Sequence, residues 1–210
     1  MISISLARLL ESQQPRVSDW LTQLEAILLV GGKGTRLHPL TLTTPKPMLK
    51  VAGVPFIAHQ IGYARAHGIT RIIVASSYKS DQFSQFLGDG SAFGVEVRYA
   101  IEREPLGTGG AIAHAGALLE SDASEPIAVL NGDVLSAHDI SAQLQVHREQ
   151  SADVTLHLIE VPDARAYGSV PTDSSGRITA FVEKSERPPT RFINQRSSWV
   201  MARLPGDGLS

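Results

Sequence analysis

The chain of 210 residues has no cysteine. That excludes a disulfide framework, thiolate metal sites and a cysteine nucleophile, and it fits a reducing compartment. Nor does one sign of charge dominate. A formal charge of −2 and a pI near 6.4 argue against the basic footprint needed for nucleic acid or an anionic membrane. No stretch reaches the ~18 consecutive apolar residues of a membrane-spanning helix. Internal repeats and low-complexity segments are missing. The histidines, His38, His59, His67, His114, His138, His147 and His157, show no metal spacing and read as surface or packing residues. Hydrophobic residues (42%) and charged residues (19%) are both slightly scarce, yet the balance is that of a globular chain, not a disordered one. A length of this order sets about one to one and a half domains.

Residues 1–24 read as a leader, either a short amphipathic helix or disordered, and a start further along the chain stays open. Arg8 interrupts the apolar part and Glu11 to Pro15 follow it, so a secretory signal is not expected. From Glu25 onward, short apolar runs alternate with helical segments, the signature of an α/β sheet. Ala26 to Val30 is a continuous apolar run, as expected for a strand buried on both faces. Pro55 opens a helix with Ile57, Ile61 and Ala64 on one side, and Gly68 closes it. Arg71 to Ala75 and Ile127 to Leu130 are further buried strands. Val95, Val97, Tyr99 and Ile101 alternate, which predicts a strand with one preferred buried face. Ser80 is a candidate cap for a helix carrying Phe83 and Leu87, Gly109 to Glu120 reads as a small-residue helix, and Asp139 caps a helix to about Gln150.

The pattern then changes. Val154, Leu156 and Leu158 alternate, as do Ile178, Ala180 and Val182, with a turn signal at Thr172 to Gly176 between them. Successive strands without a helix predict an antiparallel addition to the parallel sheet. Residues 195–210 have no clean period and read as an exposed, irregular tail.

The densest chemistry follows the first strand. Gly31, Gly32 and Gly34 let the backbone turn sharply, and successive N–H groups in such a loop can cradle phosphate oxygens. Arg36 adds a bidentate cation and Lys46 a point charge. The dinucleotide fingerprint fails at Leu37 and the P-loop fails at Gly34, so the loop is neither motif. A bare Gly-Gly-x-Gly is equally an ordinary solvated turn. Pro45 and Pro47 shift the weight toward phosphate, because they hold Lys46 in a fixed direction that a solvated loop does not need. Asn131-Gly-Asp133 closes a buried strand at its carboxyl end, where open α/β sheets place ligands. A carboxylate there can hold Mg²⁺ against triphosphate oxygens, and it can equally be a turn aspartate.

Gly31-Gly-Lys-Gly-Thr-Arg36 with Pro45-Lys-Pro47 resembles the signature of the sugar-1-phosphate nucleotidylyltransferases. Glu104 to Gly110, Asn131 to Leu135, Tyr167-Gly168 and Phe181 to Lys184 follow in that family's order. Together they look closest to bacterial mannose-1-phosphate guanylyltransferases (GDP-mannose pyrophosphorylases), over residues 25–194. The resemblance implies a Rossmann-like, three-layer, mainly parallel sheet. It implies nucleotide binding by Gly31, Gly32, Gly34, Thr35, Glu102, Gly107, Thr108 and Gly109. Glu102 is the candidate for guanine choice, because a carboxylate matches the paired N1–H and amino donors of that base. Gly168, Glu183, Lys184 and Asn194 would bind the sugar phosphate. Arg36, Lys46 and Asp133 would be catalytic, with Asp133 holding Mg²⁺. The reaction implied is attack of a sugar 1-phosphate, mannose 1-phosphate favoured, on the α-phosphorus of a nucleoside triphosphate, GTP favoured, releasing pyrophosphate. A cytoplasmic enzyme without nucleic-acid or membrane partners is expected, and a homo-oligomer is compatible with it.

The family continues past Asn194 with a small-residue turn, a strand and a helical region carrying a second metal-binding aspartate. Here Gln195-Arg-Ser-Ser198 follows, and Asp207 has no matching context. The domain spanning 25–194 is therefore expected to be incomplete at its C-terminal end, through frameshift or truncation. That keeps a second reading, a nucleotide-binding remnant without turnover, beside the working enzyme. Another hexose or nucleotide pair also stays open. A nicotinamide-binding domain is disfavoured by Leu37 and by the Pro45-Lys-Pro47 context.

Overall fold

A computed structural model describes residues 24–122, 124–134 and 138–194, and the backbone of Val200–Ala202. The leader, apart from the buried Leu24, lies outside the described residues. β1 (Glu25–Leu29) runs through the middle of the sheet. Parallel to it lie β4 (Arg71–Ser76) on one side, then β5 (Glu96–Ile101), and β6 (Ile127–Asn131) on the other. A two-residue hairpin, β2 (Lys50–Val51) with β3 (Val54–Pro55), sits apart from the main sheet.

The alternation of β1 feeds two cores, which explains its unbroken apolar run. Ala26 and Leu28 face α1 (Phe56–Ala66), α2 (Ser80–Leu87) and α4 (Ile140–Glu149), and bury Ile57, Ile61, Phe83 and Leu144 with them. Ile27 faces the other way, with Ile73, Ala75 and Val129, onto Ala115 of α3 (Gly107–Gly116). Three layers result, as the family resemblance implied.

Several elements depart from expectation. β5 was predicted to bury one face, but Ala100 is 2% exposed on the second face and Ile101 is 51% exposed. α3 covers that second face, and Ile101 stands at the strand's outer end. Helix α3 begins at Gly107 rather than Gly109 and stops at Gly116, short of Glu120. The N–H groups of Glu120 and Ser121 donate instead to the buried Glu25 carboxylate, at 2.9 and 2.7 Å, which draws them off the helix. Ser80 does not cap α2. It is the first helical residue, preceded by Lys79 in the left-handed region. Asp139 does cap α4, its carboxylate accepting from the Ala142 N–H at 3.1 Å.

Beyond α4 come β7 (Val154–Leu156) and β8 (Leu158–Glu160), broken at His157. β8 pairs antiparallel with β9 (Phe192–Asn194). The strand expected over Ile178 to Val182 is reduced to isolated bridges, Thr172 with Ile178 and Ser169 with Val182, and Ala180 is exposed. The turn at Thr172 to Gly176 forms as predicted, with the Asp173 carboxylate accepting from the Ser175 and Arg177 N–H groups.

Of the tail expected to be irregular, only Val200–Ala202 is described, and residues 195–199 and 203–210 lie outside the described residues. Val200–Ala202 forms β10, antiparallel to both β6 and β7, so the sheet runs β5-β4-β1-β6-β10-β7. Three residues are too few to show a period in sequence. Their backbone occupies the gap between β6 and β7, whose facing N–H and C=O groups need partners.

Candidate functional site

The carboxyl ends of β1, β4, β5 and β6 open on one cavity of about 990 Å³. Each parallel strand delivers a segment to it, as expected for an open α/β sheet. After β1 come Gly31, Gly32, Gly34, Thr35 and Arg36, and then Lys46 and Pro47. β4 is followed by Ser77 and Tyr78, β5 by Glu102 and Arg103, and β6 by Gly132 and Asp133. Gly107 and Thr108 at the start of α3 complete the wall. Gly109, expected with them, is exposed on α3 and is not among the lining residues.

The loop after β1 is held closed from several sides. Gly34 takes φ +58°, and a Cβ there would meet Thr41 Cγ2 at 3.0 Å and Lys46 Cβ at 3.3 Å. The buried Thr41 hydroxyl donates to the Gly34 carbonyl at 2.8 Å. From the start of α2, the Lys79 ammonium donates to the Leu42 carbonyl at 2.5 Å and the Gln82 amide to the Thr43 carbonyl at 2.9 Å. Pro45 is extended, and Lys46 and the buried Pro47 begin a short 3-10 turn. From it, Lys46 Nζ reaches Asp133 Oδ2 at 2.6 Å. Lys46 thus points at Asp133, not at open solvent.

Glu102 is 8% exposed and stands where β5 meets the cavity. One of its oxygens accepts from the Leu106 N–H at 3.0 Å, closing the segment that leads into α3.

Gly168, Glu183, Lys184 and Asn194 do not line this cavity. They come together around a second one of about 230 Å³, with Tyr167, Ser169 and Phe181. Its walls are the Ser169–Val182 bridge and β9. Sequence reasoning missed Ser77, Tyr78 and Arg103 in the first cavity and Ser169 in the second, where Phe181 had entered only as the start of the Phe181 to Lys184 motif. Ser77 and Tyr78 follow a recognised buried strand, so the rule that singled out Asp133 would have found them. Ser169 carried no such signal.

A family model described as nucleotidyl transferase matches residues 25–200. The chain belongs to that family. Among the relatives of this chain is the mannose-1-phosphate guanylyltransferase of Mycobacterium tuberculosis, 51% identical over 82% of this chain and 47% of that protein. Mannose-1-phosphate guanylyltransferase 1 of Arabidopsis thaliana is 37% identical over 77% of this chain and 45% of its own length. The chain thus spans about half the length of the curated relatives it matches. HddC from Yersinia pseudotuberculosis superposes with a TM-score of 0.68 at 30% identity, covering 86% of this chain and 77% of that one. A UDP-glucose pyrophosphorylase shares the fold alone, with a TM-score of 0.70 at 18% identity over 86% and 76%. No helix among the described residues is long and apolar enough to cross a membrane.

Proposed function

We propose that this chain moves the nucleotidyl group of GTP, in preference to other nucleoside triphosphates, onto mannose 1-phosphate, releasing pyrophosphate and a nucleotide sugar. The observation that carries the proposal is the convergence of the glycine loop, Arg36, Lys46 and Asp133 on one cavity. The names of the matched relatives support the sugar, and the HddC structure complexed with GMP-PN supports a guanine nucleotide.

The sugar phosphate is already an anionic nucleophile, so the reaction asks for positioning and charge neutralisation rather than a strong base. Its oxygen bonds to the α-phosphorus as the bond to the β-bridging oxygen breaks, and pyrophosphate leaves with that electron pair. The N–H groups of the 31–35 loop and the Arg36 guanidinium take up triphosphate charge, and Lys46 screens the α-phosphate. Lys184 holds the incoming phosphate, while Glu183 and Asn194 orient the sugar over Gly168. Gly107 and Thr108 receive the base, and Glu102 selects guanine.

Asp133 fits a divalent ion. Its carboxylate is partly exposed in the cavity, it already faces a cation at 2.6 Å, and Mg²⁺ takes one or two carboxylates alongside substrate phosphates. Asp133 would hold the ion, which supplies neutralisation of the triphosphate oxygens.

Pyrophosphate release from GTP with mannose 1-phosphate and Mg²⁺, measured on folded chain with ATP, UTP and dTTP in parallel, tests the proposal. GTP-selective release is the expected result, and no release with any nucleotide overturns it. The same reading puts the protein in the cytoplasm, where the triphosphate is made, and is compatible with a homo-oligomer, which sedimentation would reveal.

A further inference from the structure

Gln60 interrupts the apolar face of α1. It is 2% exposed and lies among Ile57, Ile61 and Ala64, all fully buried. Its Nε2 donates to the Asn131 carbonyl at 2.6 Å and to the Val134 carbonyl at 2.8 Å. Those two carbonyls bracket Asp133. Asn131 ends β6, and Val134 follows Asp133 directly. Gln60 Oε1 is buried and has no hydrogen-bond partner among the described residues. An unmatched buried acceptor is destabilising, and an apolar residue would continue the helix face without it. What the amide supplies is geometry. Its two N–H groups diverge at a fixed angle in one plane, so they fix the separation of the two carbonyls. The other side of the turn is fixed as well. The Gly132 N–H donates to the Leu29 carbonyl at 2.7 Å, and a Cβ on Gly132 would stand 2.6 Å from Val30 Cγ1. The backbone of Asp133 is thus clamped from α1 and from β1, while its side chain faces the cavity.

We infer that Gln60 is a positioning residue, which sets the Asp133 carboxylate where a divalent cation and the triphosphate meet. The inference rests on the reading of Asp133 given above. It makes the amide of α1 a determinant of metal affinity rather than of nucleotide affinity.

The test is Mn²⁺ binding to the full chain, with and without GTP, followed by the electron paramagnetic resonance signal of the free ion. Gln60→Met keeps the volume and removes both donors. It is expected to fold, to weaken Mn²⁺ binding about tenfold, the lower end of outer-shell effects on metal sites, and to leave GTP binding in the absence of metal near the parent value. Ile61→Val, on the same helix and touching only core, is expected to leave Mn²⁺ affinity unchanged. A folded Gln60→Met with the parent's Mn²⁺ affinity overturns the inference, as does an equal loss in Ile61→Val. If Gln60→Met fails to fold, Gln60→Asn is read by the same criteria, since its amide is one methylene too short to span both carbonyls. Asp133→Asn separates the two layers of the argument. If it leaves Mn²⁺ affinity unchanged, the reading of Asp133 fails, and the inference with it. If it abolishes binding while Gln60→Met does not weaken it, only the inference fails.

Discussion

Lys46 Nζ lies 2.6 Å from Asp133 Oδ2 across 87 residues of chain, joining the loop after β1 to the end of β6. Both side chains are more than a third exposed, so the pair adds little to stability. In the proposed reaction the two part company, Lys46 turning to phosphate and Asp133 to a divalent ion. Lys46→Met is therefore expected to melt near the parent temperature and to bind Mn²⁺ more tightly without nucleotide. Its turnover should fall by roughly 10²–10³, the usual loss when one charge-stabilising donor is removed. Parallel Mn²⁺ titration and pyrophosphate release check this, and weaker Mn²⁺ binding would contradict it.

Gly34 offers a cleaner probe of the nucleotide loop. Its φ of +58° costs a side chain about 1–2 kcal/mol. An alanine Cβ would also press on Thr41 and Lys46 at 3.0 and 3.3 Å. Gly34→Ala is expected to raise the KM for GTP more than that for mannose 1-phosphate, because Gly34 itself and the displaced Lys46 line the larger cavity. Steady-state kinetics with each substrate varied in turn decides it. Equal effects on both would place the loop's role elsewhere.

How much of this was legible depends on where the signal lies. β1 could be read because burial on both faces leaves an unbroken apolar run, and the same rule brought Asp133 into view at the end of β6. The residues of the smaller cavity sit on short bridges and turns, where no period exists. Gly168, Glu183 and Lys184 were reachable only through a motif resemblance. β10 escaped because three residues cannot show alternation. Gln60 escaped for another reason: a polar residue in a helix looks like a surface position until its partners, 71 and 74 residues further on, are seen.

Glu25 predicts the opposite behaviour from the site residues. It starts β1, at the end of the sheet away from the cavity, and is 2% exposed. Its carboxylate accepts from the Glu120 and Ser121 N–H groups and lies 3.8 Å from the Arg71 guanidinium. Glu25→Ala removes the acceptor of two N–H groups, those of the exposed Glu120 and the half-buried Ser121, and a hydrogen bond to a charged group contributes about 1.5–3 kcal/mol. A loss of about 2–4 kcal/mol in urea unfolding is expected. The KM for GTP should stay at the parent value in the folded fraction, and a changed KM would show that the far end of the sheet reaches the site.

The pH dependence of stability should come from a pair of histidines. The rings of His138 and His157 lie 3.9 Å apart, between α4 and the β7–β8 junction. Burial pushes both below the ordinary value of about 6.5, and for His157 the neighbouring His138 adds to the shift. The unfolded chain then binds more protons than the folded one just below that value, so stability rises with pH there. It is fully present above pH ~6.5 and is lost as pH falls through the lower folded values. The carboxylates that are shifted down, Asp139 by the Ala142 N–H and Asp163 to about 2 by Arg165, act in the same direction. Their window opens only below the ordinary carboxylate value of about 4. Thermal melts at pH 7, 6 and 5 should therefore show a falling midpoint, with a shallower fall in His157→Gln. An identical slope in that variant would assign the acid sensitivity to other groups.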